Sequence, residues 1–548
     1  MSQPTVALFP EPGAWGPTNN LVALGNHLRE RGIRTVFVVE ESFQGELAKR
    51  AFEERLMRMA PPPGPDVAGR EAVGGGWAEF VRETSPQFRR PTIEQLETVT
   101  APIWAEFVDG AEYSHDRLTE IWSELRPDAI VHDCVASFPS VSLAGCPWIR
   151  VVSANPLEIT DPDIPPVFSG YPSRDRSGWD DFSVEYRRLT DPLVERSSAF
   201  HQQCGAPPLP DGEFQYQSPY LNLYMYPAEL DYQRSRPLGS TWHRIDTATR
   251  NSDGRFDVAE KVGSDGKLVY LSLGSLGCMD VPLMQRVIDS LNRTPHRVIV
   301  SMGPLHDQLT LGDKMWGEQF VPQTAIVPQC DAMITHGGNN TVGEAFTFGV
   351  PTIVLPLFWD QYDNAQRIDE CGYGVRLSTY EFTDDELHGT IERLSGDRQL
   401  AARLDAASKR LQASPGRVLA GGPDRKGRPR LKRQTCCRST QSASRAAVVT
   451  WSSASATAPY SGPSSPCTPS RTGGGEVLRK AISPSRYATS NTSGAAALRS
   501  VAAPPSVTTS GSCRFTRPPI PRPSEAATAS NARRVAAFRL GRPTMSWT

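Results

Sequence analysis

Short apolar runs bounded by turn residues alternate, twice over, with stretches whose apolar residues recur every three to four positions. No other feature limits the fold of this chain so strongly. "TVALFP" at Thr5–Pro10, "TVFVVE" at 35–40, "DAIVHD" at 128–133 and "PWIRVV" at 147–152 read as buried strands. Between the first two, Leu21, Leu24 and Leu28 share one face, which predicts a helix over 17–31. Further helical pattern covers 92–125 and 179–203, and "YLNLYMYPAEL" at 220–230 reads as a closing strand. The polar, Gly- and Asp-rich stretch 247–266 reads as a linker.

A second alternating unit follows. Its strand-like runs are "KLVYLSLGS", "HRVIVSMG", "AMITHGG", "PTIVLPLF" and "GVRLS". Helices are predicted over 281–292, 340–348, 361–371, 383–395 and 397–412. Strand–helix alternation of this kind specifies parallel, doubly wound sheets. Two such units place a ligand cleft between the carboxyl ends of their strands. The expected division is one domain over 1–245, a second over 246–414, and a tail over 415–548.

Charge separates the tail from the body. Residues 415–548 carry 21 Lys and Arg against 3 acidic residues, which leaves 37 basic and 57 acidic residues in 1–414. The near-neutral total of −2 therefore joins an acidic body to a basic tail. An acidic body argues against nucleic acid as partner, since phosphate contacts need clustered Lys and Arg. The tail is rich in Ser, Pro, Thr, Ala and Arg and has no period, so it is expected to be disordered. The same composition fits GC-rich coding DNA read out of frame after "RLQASPGRVLA". No secretion signal and no membrane-length apolar run is visible, so a cytoplasmic protein is expected, with peripheral membrane contact left open. Cys134, Cys146, Cys204, Cys278, Cys330 and Cys371 are widely spaced in the body, which favours free thiols over disulfides or zinc.

The chemistry concentrates in "ITHGGNNTVGEA" at 334–345. A strand ends, glycines turn the chain, and a helix begins with Asn339 or Asn340 as candidate cap. Free N–H groups and the positive dipole end suit a phosphate, and Gly338 lets backbone approach closely. His336 can donate to a phosphate oxygen. Glu344, one turn on, can accept from ribose hydroxyls. Asp360 and Gln361 end the next strand and can bind sugar hydroxyls. Gly274 and Ser275 end a third strand and offer backbone N–H groups to the same diphosphate.

The order and spacing of "FVPQ" at 320–323, "HGGNNTVGEA" at 336–345, "GVP" at 349–351 and "DQ" at 360–361 resemble the signature of the UDP-sugar-dependent glycosyltransferases. The resemblance covers about residues 250–410. It implies the GT-B fold, two Rossmann-like domains facing a cleft, with a UDP- or TDP-sugar as co-substrate and no metal or cofactor. It implies that His336, Asn340 and Thr341 contact the diphosphate, that Glu344 holds the ribose, and that Asp360 and Gln361 hold the hexose. Phe320, with Gln323 in the same motif, stands where the family usually has a base-stacking Trp.

The resemblance also implies a transferred hexose, a small hydrophobic acceptor such as a natural product or lipid, and inversion. The family normally opens with strand–"GHxxP"–helix, whose His deprotonates the acceptor. Here the stretch is "PGAWGPTNN": Gly13 and Pro17 align, but Ala14 replaces the His. The aspartate that orients that His has its match in Asp133. Three readings follow. Asp133, or Glu11 in the same loop, serves as base with a raised pKa; or the acceptor is acidic enough, or brings its own base; or the chain binds a nucleotide sugar without turning it over. His132 alternates with Asp133 along a strand and is read as structural. Trp77, Phe80, Phe168, Tyr171 and Trp179 are candidates for the acceptor wall or for core.

Overall fold

In the computed structural model, residues 3–61, 83–247 and 254–413 are described. The tail from 414 onward, Trp77, Phe80 and linker residues 248–253 lie outside them. Numbering only helices of ten residues or more, the first lobe runs β1 (Thr5–Pro10), α1 (Trp15–Glu30), β2 (Arg34–Glu40), β3 (Glu53–Met57), α2 (Ala101–Leu125), β4 (Ala129–Asp133), β5 (Trp148–Val152), α3 (Trp179–Gln203), β6 (Leu221–Met225) and β7 (Trp242–Ile245). The second runs β8 (Leu268–Ser272), α4 (Val281–Leu291), β9 (Arg297–Ser301), β10 (Met315–Glu318), β11 (Ala332–Thr335), α5 (Asn339–Phe348), β12 (Thr352–Val354), α6 (Asp360–Glu370), β13 (Gly374–Arg376), α7 (Asp384–Gly396) and α8 (Arg398–Ala413).

Both sheets are parallel, in the orders β3-β2-β1-β4-β5-β6-β7 and β10-β9-β8-β11-β12-β13. Alternate residues of β1 serve the two faces of the first sheet. Val6 and Leu8 pack with Leu21, Leu24 and Leu28 of α1. Ala7 and Phe9 pack with Leu118, Ile121 and Trp122 of α2 on the other face. The second sheet is layered in the same way, with Val269 and Leu271 against Val287, Ile288 and Leu291 of α4. Tyr270 and Met333 face Ala345 of α5.

The strand order reverses between β1 and β4 in the first sheet and between β8 and β11 in the second. Those two switch points are where open α/β sheets bind ligands. Three edge or near-edge strands, β3, β7 and β10, were absent from the sequence expectation. β3 buries only its last residue and β10 none, so neither produces an apolar run, and only the first and last residues of β7 are buried. The region 92–125 is helical but interrupted: a wide π turn at Leu96–Thr100 precedes α2, where Pro102 has no N–H to continue the ladder.

Helix α6 ties the lobes together. Asp363 accepts N–H bonds from Phe168 (2.6 Å) and Gly170 (2.8 Å) of the first lobe. Arg367 donates to the carbonyls of Leu230 and Asp231. At the end of α8, Arg410 forks onto Glu229 at 2.8 and 2.7 Å and reaches Asp246 at 2.9 Å. The last described helix therefore braces the first lobe. No helix among the described residues is long and apolar enough to cross a membrane. The six body cysteines are free thiols.

Candidate active site

A cleft of about 880 Å³ opens between the carboxyl ends of the two sheets and takes its walls from both lobes. On the second lobe, β11 ends and α5 begins through His336-Gly337-Gly338. Gly338 occupies the N-cap position, and no side chain caps the helix. Gly338, Asn340 and Thr341 line the cleft, so the uncapped helix end opens onto it. This corrects the expectation that an asparagine caps α5. Asn340 Nδ2 donates to the Gly16 carbonyl of the first lobe at 2.8 Å. Asn339 Nδ2 sits 2.8–3.0 Å from the carbonyls of Ser153, Ala154 and Met225. Both residues already lie inside the helix, so their side chains reach across the cleft instead of folding over the helix end.

The His336 ring is packed between two glycines. A Cβ at Gly338 would fall 2.7 Å from Nε2, and a Cβ at Gly274 would overlap the ring outright. Desolvation pulls the His336 pKa down to about 4, so the ring is neutral at pH 7 and can donate one hydrogen bond. Gly274 also holds φ +69°, open to glycine at little cost. Ser275 belongs to the same turn, Gly274–Gly277, but its side chain is outside the described set.

The polar residues around the helix end are mutually oriented. Glu344 Oε2 accepts from Gln323 Nε2 at 2.6 Å, and Gln323 Oε1 accepts from the Tyr270 hydroxyl at 3.0 Å. Phe320 lines the cleft with 49% of its surface exposed, which leaves a ring face open to stacking. Asp360 opens α6 and accepts from Asn364 at 3.1 Å; burial raises its pKa to about 7. Gln361 Oε1 is held by the Leu357 N–H at 3.0 Å.

The first lobe presents carboxylates at its own switch point. Pro10 of β1 is in register with Asp133 of β4, and the Glu11 N–H donates to the Asp133 carbonyl at 2.7 Å. Glu11 lines the cleft; Asp133 does not. That order reverses the sequence reading, which ranked Asp133 ahead of Glu11. Glu11 Oε2 accepts from the Val135 N–H at 2.7 Å, while Oε1 is buried with no partner. Burial raises Glu11 to about pKa 8. Asp133 is also driven well above the usual carboxylate range by burial, and its Oδ2 is unpartnered. His132 stacks on Phe9 at 5.5 Å and is core.

A family model described as "Erythromycin biosynthesis protein CIII-like, C-terminal domain" matches residues 285–416. The chain is 31% identical over 409 residues to NDP-glycosyltransferase YjiC of Bacillus subtilis strain 168, covering 74% of this chain and 92% of that one. The chain belongs to the nucleotide-sugar-dependent glycosyltransferases. Among solved structures, the glycotransferase of kitacinnamycin matches 76% of this chain and 97% of its own, at TM-score 0.55 and 20% identity. Spinosyn forosaminyltransferase SpnP matches 76% and 97% at TM-score 0.52 and 18% identity. These two likenesses carry the fold, GT-B with two Rossmann-like lobes.

One stretch of the glycosyltransferase cleft is an apolar, largely aromatic wall that sequence reasoning missed. Phe168 and Trp179 are buried in the first lobe and, like Tyr171, do not line the cleft. Its wall is built instead from Ile103 and Phe107 of α2 and from Phe358 and Trp359 ahead of α6. The signal available in the sequence was the pair of large rings immediately before Asp360-Gln361.

Proposed function

We propose that this glycosyltransferase moves a hexose from a UDP- or TDP-sugar to a hydroxyl of a small hydrophobic acceptor, with inversion, and that Glu11 takes the acceptor's proton. One observation carries the reading: a single cleft is lined both by Glu11, whose buried Oε1 has no partner, and by the uncapped N-terminus of α5. The acceptor oxygen bonds to the anomeric carbon as that carbon's bond to the diphosphate oxygen breaks. The proton passes to Glu11, and the charge developing on the diphosphate meets the helix N–H groups and His336. Gly274, Ser275, Gly338, Asn340 and Thr341 border the diphosphate. Since the Asn340 side chain is bonded to Gly16, its backbone N–H is the contact. Phe320 stacks on the base, Glu344 oriented by Gln323 takes the ribose, and Asp360 with Gln361 takes the hexose. Asp133 lies behind the wall and supports Glu11.

A second reading is a catalytically silent nucleotide-sugar binder, favoured by Ala14 at the position of the family's base. Titration calorimetry with UDP and TDP, with His336→Ala as control, tests donor binding. Transfer across an acceptor panel, with Glu11→Gln, separates enzyme from binder. Tight donor binding with no turnover of any nucleotide sugar would select the second reading.

A further inference from the structure

Trp359 stands directly before Asp360 with φ 59° and ψ −142°, a backbone region essentially reserved for glycine. Its neighbours hold it there. The indole centroid lies 4.0 Å from that of Phe168, itself at φ 69°, and 5.4 Å from Trp104. Phe107 meets the indole edge-on at 6.3 Å and 73°. Trp359, Phe107, Phe358 and Ile103 all line the cleft that also contains Glu11 and Asp360. Two consequences follow from this placement. A group lying on the indole is one residue from the side chain assigned to the sugar. The wall is also mostly aromatic, and aromatic walls favour aromatic guests through edge and offset contacts.

We propose that this cleft seats a planar phenol as acceptor, its ring against Trp359 and Phe107 and its hydroxyl directed to Glu11. The inference rests on the glycosyltransferase reading of the same cleft and names its substrate class. Acidity supports it. A phenol ionises near pKa 10, whereas water and aliphatic alcohols sit near 16. A carboxylate raised to about 8 by burial is close to the first and far from the second. With Ala14 in place of an imidazole, the acceptor's own acidity supplies what the base lacks.

Binding tests the seat without relying on turnover. In calorimetry on the full chain loaded with UDP, β-naphthol is expected to bind roughly five- to tenfold tighter than decalol, its saturated analogue. Trp359→Leu is expected to abolish that preference, and Trp359→Phe to retain most of it, each with unchanged UDP affinity as the check on folding. Equal affinities for the two ligands, or a preference untouched by Trp359→Leu, would overturn the proposal. Transfer to estradiol, which carries one phenolic and one aliphatic hydroxyl, is expected at the phenol; the aliphatic glycoside as main product would also overturn it. A naphthol preference without any sugar transfer would sink the transferase reading and uphold the aromatic seat.

Discussion

The two switch points of this molecule face each other with opposite chemical conditions. On the second lobe the polar side chains are bonded within their own surroundings: Gln323 to Glu344 and Tyr270, Asn364 to Asp360, and the Leu357 N–H to Gln361. On the first lobe Glu11 Oε1 and Asp133 Oδ2 are buried with no partner. Buried polar atoms are nearly always paired; of these two orphans, Glu11 belongs to the cleft lining, where an entering group can meet it, and Asp133 lies behind the wall. The second lobe presents mostly bonded polar groups to the cleft, while the first presents Glu11, raised by burial and with one oxygen unpartnered. Donor binding and acceptor activation should therefore respond to different mutations.

The largest expected effect is on the acid side. Glu11→Gln should lower kcat/KM for transfer by about 10²–10⁴ and leave UDP affinity unchanged. An equal loss confined to Asp133→Asn would reverse the assignment of roles. On the donor side, His336→Ala should weaken UDP binding by about tenfold, equivalent to one hydrogen bond to a charged group, without altering acceptor affinity in calorimetry.

pH sets the two halves against stability. Glu11 must lose its proton to act, so kcat/KM should rise with pH through about 8 and then level off, and the rise should vanish in Glu11→Gln. Stability should move the other way. Glu11 and Glu158 are raised to about 8 and Asp360 to about 7, so the folded chain holds protons that the unfolded chain releases near 4. That contribution is complete below the unfolded values and is lost as pH rises through the folded ones. Melting temperature should fall between pH 5 and 9, and a flat profile would contradict the burial of these acids. Removing the lobe brace by Arg410→Ala should have the smallest effect, about 1 kcal/mol, read as a loss of about 2 °C in Tm with donor affinity intact.

The donor half was largely legible before any coordinates. Strand, glycine turn, helix, Glu344 and Asp360-Gln361 lie within 28 residues, from 334 to 361, and their arrangement follows from local rules of period and turn. The helix boundaries at 281–292, 361–371 and 383–395 came within one residue of the observed ends. Edge strands β3 and β10 escaped because half-exposed strands need no apolar run. The capping role read for Asn339 or Asn340 failed because both side chains find carbonyl partners on the opposite lobe, which no local pattern encodes.

The amino-acid order alone was enough to specify two parallel α/β lobes, a nucleotide-sugar motif on the second, and an alanine where a base is usual. It could not say which carboxylate stands at the cleft. Glu11 and Asp133 are more than a hundred residues apart, and parallel pairing of β1 with β4 brings them side by side with one facing the cleft and one behind it. Burial then sets their acidity, and the folding of α2 against Trp359 sets the wall beside them. Local sequence carries period and turn chemistry; desolvation and long-range register exist only once the chain has closed on itself.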